Sequence, residues 1–181
     1  MLIRECAGSD IKALERHMPT RPSQVHAEHF GQQQAGLWTY LIAWDDDSVP
    51  VGVCVIRWDG WAEREALEGY PDCPEVTNLQ VHPPQRGRGV GTALMESAEQ
   101  EVRARGLHRI GVGVADDNPR AAMLYARLGY ADTGLRTDSR YVYPDDAGVP
   151  REIIEHNILL VKDLEVVSPA EGTDSASDGR S

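Results

Sequence analysis

The chain reads as an α/β protein: a mixed, mostly antiparallel sheet with a central parallel strand pair, flanked by helices. Three observations predict it. Two apolar, β-rich runs, "GLWTYLIAW" and "VPVGVCVIRW", are separated by "DDDS", the pattern of an antiparallel hairpin. From residue 75 onward strand, helix, strand and helix alternate, so a right-handed crossover joins two parallel strands. The length, 181 residues, suits one domain with a full core and is short for two.

Residues 2–6, "LIREC", form a short first strand. Ser9 stands where it would cap a helix through His17, with Ile11, Leu14 and Met18 on one face. A second helical piece starts near Pro22 or Ser23, and the hairpin follows it. Residues 59–74 are polar and turn-rich, a loop with a helical turn in it. Residues 75–82 make the next strand, with Val76, Leu79 and Val81 as its apolar positions. Between residues 89 and 105 apolar side chains recur at Val90, Leu94, Ala98 and Val102, a helical spacing that Gly106 ends. Residues 108–115 are a strand. Asn118 then caps a helix that has Pro119 in its first turn and Gly129 after its last. Residues 134–145 and 151–164 supply two closing strands. The final "SPAEGTDSASDGRS" has no apolar periodicity, so residues 1–167 are expected as the domain and 168–181 as a disordered tail.

The net charge of −11 argues against a nucleic-acid partner, which would need Lys and Arg facing phosphates. It suits either a cationic substrate or simple solubility. No apolar run reaches the roughly 18 to 20 residues of a membrane span, and "MLIRECAGSD" has no signal-peptide core. The expectation is a cytoplasmic protein with no membrane partner. Cys6, Cys54 and Cys73 are odd in number with no CxxC spacing, which indicates neither a disulfide framework nor a zinc site. His26 and His29 are three apart, but no third ligand accompanies them, so no metal is expected. Trp38, Trp44, Trp58 and Trp61 gather around the hairpin as packing residues, with Trp58 and Trp61 also placed to line a substrate pocket.

The richest stretch is "VHPPQRGRGVGTALMESAEQEVRARG", residues 81–106. A strand delivers Arg86, Gly87, Arg88, Gly89, Val90, Gly91 and Thr92 to a helix start. Helix N-termini present unpaired N–H groups and a favourable dipole to anions, glycine allows close approach, and arginine adds charge-assisted bonds. The alternative is a surface turn with solvated arginines. Two known phosphate loops fail on spacing. No lysine stands where a P-loop needs one, and Thr92 occupies the place of the third glycine of the dinucleotide fingerprint.

A third pattern fits. Arg86-x-x-Gly89-x-Gly91 resembles the R/Q-x-x-G-x-G/A signature of the GNAT superfamily of N-acetyltransferases, and "NPRAAMLYARLGY", residues 118–130, resembles that family's second motif helix. The two lie in the right order and on the right elements, and the close resemblance covers residues 75–130. It implies acetyl-coenzyme A as donor, its pyrophosphate on the glycine turn and its pantetheine arm along Leu79 and Val81. It implies a primary amine as acceptor, on a small molecule or a peptide, with direct attack in a ternary complex. Glu75 is then the candidate general base and His82 a second candidate, Glu75 needing burial to raise its pKa. A backbone N–H near Val81 would stabilise the thioester oxygen. Tyr125 matches the family's general acid, and Asn118, two helical turns before it, shares its face and touches the cofactor arm. Asp132, Asp138, Asp145 and Asp146 would favour a cationic amine if they face the cleft. The resemblance also allows a homodimer through the late strands. A non-catalytic acyl-coenzyme A-binding regulatory module is the other reading of the same motifs, and a nucleotide-binding protein a third.

Overall fold

The computed structural model describes residues 1–20, 24–144 and 149–165. Seven strands form one sheet in the order β1-β2-β3-β4-β5-β7-β6. They are β1 (Leu2–Glu5), β2 (Trp38–Trp44), β3 (Pro50–Arg57), β4 (Glu75–Val81), β5 (Arg109–Ala115), β6 (Ala131–Pro144) and β7 (Pro150–Asp163). Only β4 and β5 are parallel; the other neighbours are antiparallel. The helices are α1 (Ile11–His17), α2 (Val25–Gln34), α3 (Arg64–Gly69), α4 (Val90–Ala104) and α5 (Pro119–Arg127). The mixed sheet with a central parallel pair is thus the one the sequence predicts. The start expected at Pro22 or Ser23, Asp145 and Asp146, and the segment 168–181 lie outside the described residues.

Two boundaries differ from the reading above: β6 begins at Ala131 rather than at residue 134, and the start of α1 is built otherwise. Ser9 does not cap α1 but lies within a 3-10 turn, Gly8–Asp10. Asp10 holds that turn instead, accepting the Ala7 N–H at 2.7 Å and a two-pronged pair from Arg4 at 2.6 and 2.9 Å. Charge-assisted bonds of this kind are stronger than a serine hydroxyl could offer. The hairpin turn after β2 is held by Asp45, whose Oδ1 accepts the N–H groups of Asp47 and Val49.

Packing follows the strand alternation. Leu41, Ala43, Cys54, Ile56 and Val76 face α4, meeting Val90, Leu94, Ala98 and Val102, the helical stripe read from the sequence. Tyr40, Ile42, Val53 and Val55 face α1 and its Leu14. On β4 the α4-facing residues Val76 and Leu79 are three apart, which plain alternation forbids. A bulge resolves it: the register moves from Val55↔Thr77 to Val53↔Gln80, and Asn78 takes φ 52°. Asparagine is among the few residues that tolerate this left-handed backbone.

The bulge also opens the sheet. The parallel ladder has two rungs, Glu75↔Gly111 and Val76↔Val112, although both strands continue. Beyond Val112 the edges of β4 and β5 part, leaving a slot between them.

Candidate active site

A cavity of about 810 Å³ lies at the slot's wide end. Its floor is Leu79, Gln80 and Val81 of β4, its mouth the glycine turn and the start of α4, and its far wall α5. The end of α1, with His17, Met18 and Pro19, closes one side. His82 N–H donates to Val51 O across the β3 edge, so strand alternation turns the Val81 N–H and C=O toward the slot. The Val81 carbonyl there accepts Arg86 Nε at 3.1 Å, which fixes the guanidinium over the turn.

Gly87 and Gly89 have φ 80° and 86°, the left-handed backbone that lets the chain double back tightly into α4. Ala93 N–H is bonded to Gly89 O, leaving the N–H groups of Val90, Gly91 and Thr92 without helical partners at the cavity mouth. Gly91 serves packing: a Cβ there would meet Leu124 of α5 at 3.4 Å and Val81 at 3.7 Å.

On α5, Asn118 Oδ1 accepts the Ala121 N–H at 3.1 Å, the cap foreseen from the sequence. Tyr125 lines the cavity and is only 4% exposed. Burial, with a smaller contribution from Cys54, pushes its phenol above the ordinary tyrosine range.

Glu75 lies on the other side of the sheet. Register partners share a face, and the row Trp38, Arg57, Glu75, Gly111, Val161 crosses the face opposite α4. Its carboxylate is 3.4 Å from Arg57 Nη1. Burial raises its pKa to about 7, against the lowering effect of Arg57. A Cβ added to Gly113 would come within 3.8 Å of Glu75 Oε1, so this bare stretch of β5 borders the carboxylate directly. Glu75 and Tyr125 thus flank the slot from opposite faces.

Leu79, Val81, Arg86, Gly87, Gly89, Val90, Gly91, Thr92, Asn118 and Tyr125 all line the one cavity. Arg88 does not. It lines a smaller depression of about 380 Å³ beside Asp45, Asp46 and Asp47. The cavity also holds Arg120 and Leu124, which sequence reading left unassigned although their four-residue spacing sets both on one face of α5. Asp132 is engaged by Arg136 at 2.8 and 2.9 Å, and Asp138 by His156 at 2.7 Å. Neither carboxylate is a bare charge.

Among the described residues, no three His, Cys, Asp or Glu side chains gather closely enough to hold a metal ion. His26 uses both ring nitrogens internally, toward Tyr40 Oη and Met18 O, each at 2.6 Å. Trp61 is buried against Gly111, and Trp58 donates to Thr39 Oγ1 beneath the Arg105 guanidinium, so both are packing residues here. All three cysteines are buried, and burial pushes each thiol up to about 12. No helix among the described residues is long and apolar enough to cross a membrane.

A sheet parted at its parallel pair, with a helix start facing the gap, is the architecture of an acetyltransferase of the GNAT type. The chain belongs to the acetyltransferase (GNAT) family, whose sequence model matches residues 9–130. Solved structures share the fold at low identity. The ribosomal-protein-alanine N-acetyltransferase from Brucella melitensis is 18% identical, with 91% of this chain and 100% of that one covered and a TM-score of 0.65. NAA60 from Arabidopsis thaliana, in complex with a bisubstrate analogue, is 19% identical over 90% of this chain and 97% of its own, TM-score 0.65. The protein yncA from Salmonella typhimurium, with its cofactor acetyl-CoA, is 18% identical over 91% and 94%, TM-score 0.62.

Proposed function

We propose that this protein transfers the acetyl group of acetyl-coenzyme A to a primary amine by direct attack in a ternary complex. The observation that carries the reading is the slot, with a helix start at one end, a carboxylate on one face and a phenol on the other. The pyrophosphate sits against the N–H groups of Val90, Gly91 and Thr92 with Arg86 beside it, Gly87, Arg88 and Gly89 contributing backbone. The pantetheine arm runs along the exposed edge at Leu79 and Val81, and the Asn118 amide nitrogen meets it from α5. That the protein yncA holds acetyl-CoA as its cofactor supports the choice of donor.

The chemistry divides across the sheet. The amine approaches from the Glu75 face and attacks the thioester carbonyl, and its proton passes to the Glu75 carboxylate, directly or through one water. A carboxyl with pKa about 7 is far better matched to this task than an ordinary glutamate. The carbonyl oxygen gains negative charge facing the Val81 N–H. The C–S bond then breaks, and the thiolate leaves toward Tyr125. With its pKa raised, the phenol supplies a hydrogen bond to the sulfur more than a full proton. His82 lies just past the end of β4 and is not needed in this scheme. The same reading places the protein in the cytoplasm, with an amine as its partner and neither nucleic acid nor membrane.

The test is calorimetric binding of acetyl-coenzyme A, then thiol release across an alanine-starting peptide, a lysine peptide, spermidine and an aminoglycoside. Binding with amine-dependent release, slowed in Tyr125→Phe, is the expected result. Absence of binding sinks the reading. Binding without release from any amine turns it toward the regulatory module.

A further inference from the structure

The core-facing stripe of α4 contains one residue that does not belong by polarity. Glu99 is 3% exposed, on the same buried side as Met95, Ala98 and Val102. Lys162 Nζ of β7 donates to both of its oxygens, at 2.7 and 2.8 Å. Arg103 Nη2 reaches Oε2 at 3.3 Å from one turn further along α4. The Tyr130 hydroxyl donates to Oε1 at 3.3 Å, and Tyr130 is the residue that follows the α5 exit turn.

A buried ion pair of this kind adds little net stability, since apolar side chains of similar volume commonly do as well. What it provides is a fixed geometry among the elements it joins, and here those elements frame the cavity. Helix α4 carries the glycine turn at its N-terminus, and β7 borders β5, one lip of the slot. Tyr130 begins the chain's return from α5, and its ring lies 5.8 Å from that of Tyr125, tilted by 59°. Tyr125 is the one buried residue of α5; Ala121, Ala122 and Leu124 pack against the core only partly buried. The Lys162 ammonium also lies 5.7 Å from the Tyr130 ring centroid, so the cation that clamps Glu99 contacts the tyrosine ring as well.

We propose that Glu99 is a positioning residue for acetyl transfer, clamped by Lys162 and holding the Tyr125 phenol in line with the slot through Tyr130. The inference rests on the transferase reading above. Glu99 touches neither substrate nor cofactor; it sets the distance between the phosphate turn of α4 and the phenol of α5. Misplacement of a reacting group by about 1 Å costs on the order of a hundredfold in rate. Loss of the clamp therefore falls on kcat, with the KM for acetyl-coenzyme A nearly unchanged.

The experiment is a double-mutant cycle with a spectroscopic arm. Glu99→Gln lowers kcat by about ten- to a hundredfold in the native background and causes no further loss in a Tyr125→Phe background, because the two changes disable one device. A fourth variant combines Glu99→Leu, Lys162→Met and Tyr130→Phe, replacing the polar cluster with apolar groups. It keeps the thermal midpoint but retains the low kcat. Additive losses in the cycle, or full activity in the folded apolar variant, overturn the proposal and leave the cluster purely structural. The second arm needs no acceptor: in protein labelled with 3-fluorotyrosine, the Tyr125 fluorine signal, assigned by its loss in Tyr125→Phe, shifts or broadens in Glu99→Gln. An unmoved signal refutes the clamp even if no amine is ever acetylated, whereas a moved signal with an inactive native protein refutes only the transferase reading.

Discussion

The carboxylate of Glu75 lies 3.4 Å from the Arg57 guanidinium, and its pKa is nevertheless raised to about 7. Burial outweighs the cation because 3.4 Å is a loose contact and Arg57 Nη2 is closer to Asp59, at 3.0 Å. The folded protein therefore holds this proton more tightly than the unfolded chain does. Between pH 4.5 and about 7 the native state binds more protons, so Glu75 makes stability fall as pH rises. The full span is on the order of 3 kcal/mol at most. Glu75→Gln removes the effect, so in urea unfolding the variant gains on the native protein from pH 5 to pH 8. On the proposed mechanism the native protein is expected to show an acid limb of kcat/KM near pH 7, and the same variant is expected to lose it. Arg57→Gln moves that limb to higher pH, since the charge that opposes burial is gone. A limb that stays in place in Glu75→Gln assigns the base elsewhere.

Arg86 and Arg88 are two residues apart and face different ground. Gly87, at φ 80°, turns the chain between them, so Arg86 lines the large cavity and Arg88 the depression beside the Asp45–Asp47 turn. A charge-assisted bond to phosphate contributes about 1.5 to 3 kcal/mol. Arg86→Ala is expected to weaken acetyl-coenzyme A binding tenfold or more by calorimetry and to flatten its salt dependence. Arg88→Ala is expected to change the affinity by less than threefold, its backbone contribution being intact. Equal losses in the two variants would mean that Arg88 swings into the site when the cofactor binds.

The hairpin, the α4 stripe and the α5 caps were legible because each is a local pattern. Val90, Leu94, Ala98 and Val102 repeat every four residues, and Asn118 and Gly129 punctuate α5 within a dozen positions. The fate of Arg88 was hidden in the sign of one backbone angle. The slot was half legible: the three-residue gap between Val76 and Leu79 signals an extra residue in β4, but only the register with β3 shows that Asn78 is the bulge. For Glu99 only the face was legible, since Met95 four residues before it and Val102 three after set it on the buried side of α4. Its ammonium partner, Lys162, is 63 positions away, so no local pattern could show what would neutralise the carboxylate there.

His29 completes the account of the Glu75 face with the opposite sign. It packs edge-on against Trp38 and Tyr40, with ring centroids 5.6 and 5.2 Å away, and its Nε2 lies 3.5 Å from Asn78 Nδ2 at the bulge. Its Nδ1 is buried without a hydrogen-bond partner among the described residues. Burial, with a smaller push from His26, lowers its pKa from 6.5 to about 4. In this case the unfolded chain takes up the proton first, so the contribution of His29 to stability is fully present above pH 6.5 and is lost as pH falls through 4. Its window nearly coincides with that of Glu75, and the two slopes oppose each other. The native protein should therefore show little net change from this pair between pH 4.5 and 6.5. Each single variant exposes the other group: Glu75→Gln is destabilised as pH falls across the window, and His29→Phe is destabilised as pH rises. Chemical unfolding of the three proteins at pH 4.5, 5.5 and 6.5 separates these slopes. Parallel curves for native and His29→Phe would show that this imidazole takes up its proton equally in the folded and unfolded chain.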